Sequence, residues 1–178
     1  VLERQVKHLT RLVDDLLDIS RVTRGKIELQ KKPVEVADVV ARSMELAGPM
    51  LEQRRSVVDI EVPAGLVIDA DKDRMAQVIS NLLTNAAKYS ESGSRIAVKG
   101  HRPGESVHLS VRDRGIGIAP EMLASIFDAF VQQPQSLDRA EGGLGLGLAI
   151  VRTIVAAHGG TVRPARGGRN QGSEVIVE

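Results

Sequence analysis

The sequence predicts an α+β protein: a two-layer α/β sandwich whose helices cover one face of a mixed, mainly antiparallel sheet, preceded by one N-terminal bundle helix. Apolar residues recur at helical spacing in several segments, as in residues 71–89. Other segments alternate apolar and polar residues as strands do, among them "SVVDIEVP", "LVIDA" and "RIAVKGHRPGESVHLSVRD". The two kinds of segment do not alternate strictly, which favours a mixed sheet over a parallel βαβ sheet.

The composition is that of an ordinary soluble domain, with 42% hydrophobic and 26% charged residues. A net charge of +1 gives no general attraction for nucleic acid or an anionic membrane, so we expect neither as a partner. The chain has no cysteine, which excludes disulfides and thiolate–zinc sites. No apolar run approaches the ~20 residues of a membrane span. Because aromatic residues make up only 2%, the core must be aliphatic.

Residues 1–24 predict one helix that Gly25 ends. Its apolar residues follow the spacing of a bundle seam: Leu2, Val6, Leu9, Val13 and Leu16. Such a seam needs a partner, either another helix or a second copy of the chain. Because the chain begins at Val1 and not at Met, we expect it to be part of a longer protein.

The segments after this helix predict the rest of the sandwich. "KIELQKKPV" alternates as a strand that Pro33 ends, and residues 34–55 predict a helix interrupted at Gly48-Pro49. A short helix is predicted around 120–127, and the polar residues 131–143 carry no core pattern. The final segments predict a helix that starts among glycines, followed by the strands "GTVRPA" and "GSEVIVE".

Three polar residues share one face of the predicted helix 71–89, since Asn81, Asn85 and Lys88 are spaced i, i+4 and i+7. An amide oxygen can coordinate Mg²⁺ or approach phosphate without adding charge, and a lysine adds a point charge for phosphate oxygens. The alternative is a solvated helix face, which the pattern taken alone favours.

The stretch "DRGIGI" begins where a predicted strand ends. Asp113 could accept a hydrogen bond from the exocyclic amine of adenine, whereas guanine would present a carbonyl acceptor to it. Two glycines would let backbone pass close to a planar ligand. The alternative is a turn in which the aspartate bonds its own backbone, and this reading is equally compatible with the motif alone.

The stretch "GGLGLGL" places glycines where a helix begins. Each glycine within a helix destabilises it by about 1 kcal/mol relative to alanine. One interpretation is a flexible hinge. The other is a phosphate site, because a helix N-terminus offers free N–H groups and missing side chains let phosphates approach. The pattern is neither a P-loop nor a dinucleotide-binding fingerprint.

Taken in order, these stretches resemble the ATP-binding catalytic domain of sensor histidine kinases, within the superfamily of gyrase-type, chaperone and mismatch-repair ATPases. "NLLTNAAKYS" resembles the N box of that family, "DRGIG" its first G box, "FDAF" its F box, "GGLGLGLAIV" its second G box and "GSEVIV" its last. "LTRLVDDLLDISRVTRGKIEL" resembles the second helix of the dimerisation and phosphotransfer hairpin. The resemblance implies a Bergerat-type sandwich over residues 26–178, after a remnant of that hairpin over residues 1–25.

The resemblance also implies the cofactors ATP and Mg²⁺ and a set of catalytic residues. Asn85 would bind Mg²⁺, Asn81 would position the metal or water, and Lys88 would contact phosphate. Tyr89 would stack near the adenine or ribose, and Asp113 would read the adenine amine.

Further nucleotide-binding residues are implied around the base and in a mobile ATP lid over about 131–147. The lid would be anchored by Phe127 and Phe130, and Ser173 would support the adenine site. The implied nucleotide-binding residues beyond those already named are Gly115, Gly117, Ile118, Phe130, Gly143, Leu144, Gly145, Leu146, Gly147, Leu148 and Ser173.

A kinase of this family transfers the γ-phosphoryl of ATP to a histidine that an acidic residue follows. None of the chain's histidines has that neighbour: His8, His101, His108 and His158. We therefore expect the acceptor to lie outside this chain, and the chain to bind Mg–ATP without phosphorylating itself.

The resemblance implies two partners. One is the phosphoacceptor helix, either of the longer parent protein to which this chain belongs or of its dimer mate, and the other is the receiver domain of a response regulator. The parent would be a homodimer, and this part of it would be cytoplasmic. Two alternatives remain: a gyrase-like ATPase clamp, which asparagine in place of an acid at Asn81 argues against, and a pseudokinase module that only senses nucleotide.

Overall fold

The computed structural model describes residues 28–131, 144–166, 168 and 171–178. Within them lie three α-helices, which are α1 (Val36–Gln53), α2 (Lys72–Tyr89) and α3 (Gly147–Ala157). The strands are β1 (Lys32–Glu35), β2 (Val57–Glu61), β3 (Val67–Ala70), β4 (Arg95–His101), β5 (His108–Arg112), β6 (Val162–Arg166) and β7 (Glu174–Val177). The predicted bundle helix 1–24, the hairpin remnant 1–25 and most of the predicted lid lie outside the described residues.

Five strands form one sheet in the order β2-β4-β5-β7-β6, and β1 pairs with β3 in a separate ladder. Only the β2–β4 pair of the larger sheet is parallel, so the sheet is mixed and mainly antiparallel. Along β4, Ile96 and Val98 are buried while Arg95 and Lys99 on the opposite face are exposed. The aliphatic core lies between that buried face and the helices, which confirms the predicted α+β sandwich.

The two prolines that were predicted to end or interrupt elements do neither. Pro49 lies inside α1, on its exposed side, where water can bond the carbonyl of Glu45 that lacks an N–H partner. Pro33 lies within β1, opposite Asp69 of β3. Because β3 is the one described strand that pairs with β1, a residue without an N–H can face the open side. Both predictions were wrong for the same reason: the position is at an edge or surface.

Helix α2 begins and ends where its sequence predicts. Asp71 caps it, since a side-chain oxygen accepts the Arg74 N–H at 3.2 Å. Its buried residues repeat at helical spacing and include Met75, Val78, Ile79, Leu82, Leu83 and Ala86. Among the described residues no helix is long and apolar enough to cross a bilayer.

Helices α2 and α3 run antiparallel and are joined by hydrogen bonds at two places. Near the start of α2, Nε2 of His158 accepts the Asp71 N–H at 3.0 Å, while its Nδ1 lies 2.8 Å from the Ile154 carbonyl. An accepting Nε2 means that Nδ1 carries the proton and donates it. Further along α2, the Asn81 amide donates to the Gly147 carbonyl at 3.3 Å. The N-terminus of α3 is thereby held beside the polar face of α2.

Candidate functional site

A cleft opens between α2, the carboxyl end of β5 and the segment that leads into β7. Some of its lining residues were predicted from the sequence: Asn85, Tyr89, Asp113, Gly117, Ile118, Leu148 and Ser173. The rest are apolar and were not singled out: Leu82, Ala86, Val111, Met122, Ile126, Val131 and Val175. Leu82 and Tyr89 lie at i−3 and i+4 from Asn85, and Ala86 lies four residues after Leu82 and three before Tyr89, so helical spacing could have found two of the missed residues. The cleft is an apolar slot with few polar groups, which suits a flat, partly apolar ligand.

Asp113 is the buried acid of this cleft, with 6% of its surface exposed. Its Oδ1 accepts the Gly115 N–H at 2.7 Å and the Ser173 N–H at 3.2 Å, and its Oδ2 accepts the Ser173 hydroxyl. The bond to Gly115 is the aspartate turn considered as the alternative for this motif, so the turn and the place in the cleft occur together. Oδ1 thus uses both of its lone pairs, whereas Oδ2 accepts a single bond and keeps a second lone pair, which leaves capacity for a ligand N–H donor.

The loop after β5 needs glycine because other backbone approaches it closely. A Cβ on Gly115 would lie 2.3 Å from the Tyr89 carbonyl oxygen, at the end of α2. Gly117 has φ +73°, and a Cβ there would lie 1.9 Å from the Gly168 carbonyl oxygen. The close packing of backbone around Asp113 therefore requires the glycine spacing of "DRGIG", whether or not a ligand requires it too.

Replacing Gly117 with alanine should lower the free energy of unfolding by about 3 kcal/mol or more, through positive φ together with the clash. Gly104 is the matched control, because its φ is +78° and a Cβ there would meet nothing within 4 Å. Gly104→Ala should cost about 1 kcal/mol, from backbone strain alone. Urea unfolding of both variants measures the difference, and equal losses would contradict the close approach at Gly117.

The predicted polar face of α2 divides into three environments. Asn85 lines the cleft. Asn81 donates its amide to the Gly147 carbonyl, and a Cβ on Gly147 would lie 3.9 Å from both the Asn81 and Asn85 side chains. Nζ of Lys88 lies 5.1 Å from the centroid of the Tyr89 ring. The three residues lie on one side of α2 by their spacing, and Asn81 and Asn85 lie next to the first residue of α3.

The chemistry of the donors suits a hard cation better than a transition metal. In the described part of the chain, no three His, Cys, Asp or Glu side chains come together as a metal site. An amide oxygen such as that of Asn85 is a ligand that Mg²⁺ accepts alongside water and phosphate oxygens. A metal here would thus depend on a phosphorylated ligand for most of its coordination.

The glycine-rich stretch places its residues in different surroundings. Gly143 lies outside the described residues; Leu144 is exposed, and the carbonyl of Gly145 accepts the Phe130 N–H at 3.1 Å. Leu146 is buried in the core, with 2% of its surface exposed, and its contact with nucleotide stays a prediction. Gly147 is the first residue of α3 and Leu148 lines the cleft.

The two phenylalanines also differ. Phe127 is buried in the core, whereas Phe130 has 65% of its surface exposed and φ of 66°. Phe130 connects the predicted F box to the described part of the glycine stretch through its bond to Gly145.

The N-terminus of α3 faces the cleft without a side-chain cap, since Leu146 occupies the N-cap position. The first N–H groups of a helix have no partner within the helix, and together with its dipole they attract anions. With Asn85 nearby, this end of the cleft can bind phosphate groups. The opposite end, at Asp113 and Ser173, can bind a flat ring with an amino group.

Comparison with known proteins agrees with this geometry. Residues 70–178 match the model of a family described as histidine kinase-, DNA gyrase B-, and HSP90-like ATPases. The chain is 33% identical over 165 residues to the signal transduction histidine-protein kinase BaeS of Escherichia coli K12, covering 90% of this chain and 34% of that protein. It is 36% identical over 162 residues to the sensor protein KdpD of the same organism, covering 90% of this chain and 18% of KdpD. The chain thus spans about a third or less of these relatives.

Two solved structures of histidine kinases have a similar fold. The crystal structure of full-length ShkA in complex with AMPPNP matches with a TM-score of 0.83 and 34% identity, over 99% of this chain and 36% of that one. The Acinetobacter baumannii histidine kinase AdeS matches with a TM-score of 0.80 and 26% identity, over 99% of this chain and 80% of that one.

Proposed function

The chain belongs to the histidine kinase-, DNA gyrase B- and HSP90-like ATPase family, and from this premise we propose that it is the ATP-binding catalytic domain of a two-component sensor kinase. It binds Mg–ATP in the cleft and presents the γ-phosphoryl to a histidine outside this chain. The observation that carries the proposal is the buried Asp113 at one end of an apolar slot whose other end holds Asn85. One end suits the base and the other the phosphates.

At the base end, Asp113 accepts the adenine amine while Ser173 keeps the carboxylate in place. The Ser173 hydroxyl and N–H both donate to Asp113, so the carboxylate is oriented before the ligand arrives. Guanine would place a carbonyl acceptor against the same acid, which favours ATP over GTP. Tyr89 and Ile118 line the slot in which the ring lies, and Gly115 and Gly117 keep the loop close around Asp113.

At the phosphate end, Asn85 offers an amide oxygen to Mg²⁺, and Lys88 and the first N–H groups of α3 contact phosphate oxygens. Asn81 holds the start of α3 against α2 through Gly147. When bound, Mg²⁺ supplies positive charge that neutralises the phosphates. The protein contributes positioning and electrostatic stabilisation, which is most of what phosphoryl transfer requires.

The glycine stretch would close over the phosphates as the end of a lid. Gly143, Leu144, Gly145 and Leu148 would contribute contacts on closure, with Phe130 as the anchor through its bond to Gly145. Gly147, the first residue of α3, lowers the helix propensity by about 1 kcal/mol relative to alanine, which makes opening at this end easier.

The acceptor is proposed to lie on the phosphotransfer helix of the parent or its dimer mate. Three of the histidines fall among the described residues, and none lines the cleft. His158 joins α2 to α3, and His101 and His108 form an edge-to-face pair across β4 and β5, with ring centroids 5.4 Å apart.

We further propose that residues 1–25 are the remnant of the hairpin and that residues 26–178 are the catalytic domain. The parent protein is proposed to be a homodimer that signals in the cytoplasm and passes phosphate to a receiver domain.

A gyrase-like clamp that hydrolyses ATP is less favoured. Such an enzyme needs a carboxylate to activate water where this chain has Asn81, and the Asn81 amide already donates to Gly147.

The test is incubation of the chain with γ-labelled ATP and Mg²⁺. We expect ATP to bind, measured by calorimetry, with no acid-labile phosphate on the chain. Addition of a protein fragment carrying the phosphotransfer helix of the parent should then produce labelled histidine on that fragment. Label on His8 would contradict the assignment of the acceptor, and ATP binding with no transfer to the parent's helix would favour the pseudokinase alternative.

A further inference from the structure

The carboxyl end of α2 carries Lys88 and Tyr89, two residues of the proposed ATP site. No glycine in the left-handed conformation ends this helix; its C-cap residue, Ser90, is extended, with φ −103° and ψ 165°. The last carbonyls of a helix lack partners within it and need donors from elsewhere. Because Lys88 and Tyr89 lie in this turn, whatever fixes these carbonyls also fixes two residues of the proposed ATP site.

Arg54 supplies most of those donors from a different part of the chain. Its Nε donates to the carbonyl of Ala87 at 3.2 Å, and its Nη2 donates to the carbonyls of Lys88 at 3.2 Å and Ser90 at 2.8 Å. A guanidinium can serve several acceptors at once because its donors form a fixed planar fork. Its positive charge also suits the negative end of the helix dipole.

The remaining carbonyl of the turn connects α2 to the loop of Asp113. The carbonyl of Tyr89 accepts the Ile116 N–H at 3.1 Å. The end of α2 is thus bonded on one side by Arg54 and on the other by the loop that holds the buried acid. A shift of this turn would move Lys88 and Tyr89 and would disturb the loop at the same time.

Arg54 is itself anchored at the end of α1. Its N–H donates to the Met50 carbonyl at 3.0 Å, and its carbonyl accepts the Gly93 N–H at 2.8 Å and the Ser92 hydroxyl at 3.0 Å. The arginine therefore reaches α2 from a backbone position that is fixed on both sides.

We propose that Arg54 is a positioning residue of the nucleotide site, acting through the last turn of α2 without touching the nucleotide. The proposal rests on the proposed function, since it assigns to Arg54 the placement of Lys88 and Tyr89 for ATP. Lysine in its place would keep the charge but could not bridge three carbonyls in a fixed geometry.

The test compares Arg54→Lys with Arg102→Lys. Arg102 is the matched control because its guanidinium also donates to a backbone carbonyl, that of Val67 at 2.7 Å, away from α2. A local signal is available, since Tyr89 is the only tyrosine and the chain has no tryptophan. Tyrosine emission, excited at wavelengths that phenylalanine does not absorb, therefore reports on the last turn of α2 alone.

For Arg54→Lys we expect an unchanged far-ultraviolet circular dichroism spectrum, ATP binding weaker by about 10-fold, and more efficient quenching of Tyr89 emission by acrylamide. Arg102→Lys should change neither binding nor quenching. Arg54→Ala should enlarge both effects where it folds.

Unchanged ATP affinity and quenching in Arg54→Lys would overturn the inference, and so would equal losses in both lysine variants. A wild-type chain that fails to bind ATP would instead overturn the proposed function. In that case quenching of Tyr89 still tests whether Arg54 holds the last turn of α2.

Discussion

Asp113→Asn is expected to weaken ATP binding about 100-fold and to reduce the preference for ATP over GTP. The side chain is buried, and Oδ1 already accepts two N–H groups, from Gly115 and Ser173. The amide oxygen of asparagine will keep those two bonds, so its NH₂ group replaces Oδ2. That group can donate to the Ser173 hydroxyl, but it presents a donor to the adenine amine, which is also a donor. The carbonyl of guanine, in contrast, can accept from it.

Calorimetric titration with ATP and with GTP measures this change in base preference. Ser173→Ala serves as the control, because it removes the hydroxyl bond but keeps the carboxylate; it should lower ATP affinity by about 10-fold or less. Thermal unfolding of each variant separates lost binding from lost folding. If Asp113→Asn retains the wild-type ratio of ATP to GTP affinity, Asp113 does not read the base.

Asn85→Ala is expected to remove the dependence of ATP affinity on Mg²⁺. Asn85 lines the cleft beside the start of α3, and its amide oxygen is the proposed protein ligand of the cation. Without that oxygen, Mg²⁺ should no longer strengthen ATP binding, so the affinity measured in the presence of Mg²⁺ should fall by about 10-fold or more. In the absence of Mg²⁺, the variant and the wild type should bind ATP alike.

Gln77→Ala is the control for this experiment. Gln77 is another half-buried amide on α2, but its Oε1 accepts a hydrogen bond from Arg74 and it does not line the cleft. Its replacement should leave the effect of Mg²⁺ on ATP affinity intact. An Asn85→Ala variant whose affinity still rises with Mg²⁺ as in the wild type would remove Asn85 from the metal site.

The parts of the fold that sequence could predict are those that local chemistry determines. Helix α2 has an aspartate cap, a regular apolar face and no glycine, and its predicted and observed ranges agree. The resemblance to sensor histidine kinases is likewise confirmed, because it depends on ordered motifs and not on tertiary contacts. Asn85, Tyr89 and Asp113 come together in one cleft as those motifs imply.

The parts that sequence could not predict depend on which side of an element faces solvent or on contacts between distant residues. Pro33 and Pro49 occupy exposed or edge positions, and a local pattern does not reveal exposure. The hydrogen bonds from Ser173 to Asp113 join residues 60 positions apart. Leu146 is placed among glycines that suggest a phosphate loop, yet it packs in the core. The roles of individual residues in binding stay predictions until the variants are measured.

The position of β7 has a consequence for how this domain is made. It is the last described strand in the chain but lies between β5 and β6, and Ser173 immediately precedes it. During synthesis from the N-terminus, β5 has an unpaired edge, β6 has no neighbour in the sheet, and Asp113 lacks the hydroxyl that orients it, until β7 has left the ribosome. A nascent chain released in stages should therefore acquire ATP binding in a single step, after residue 177 emerges, and nucleotide cannot assist the folding of shorter lengths.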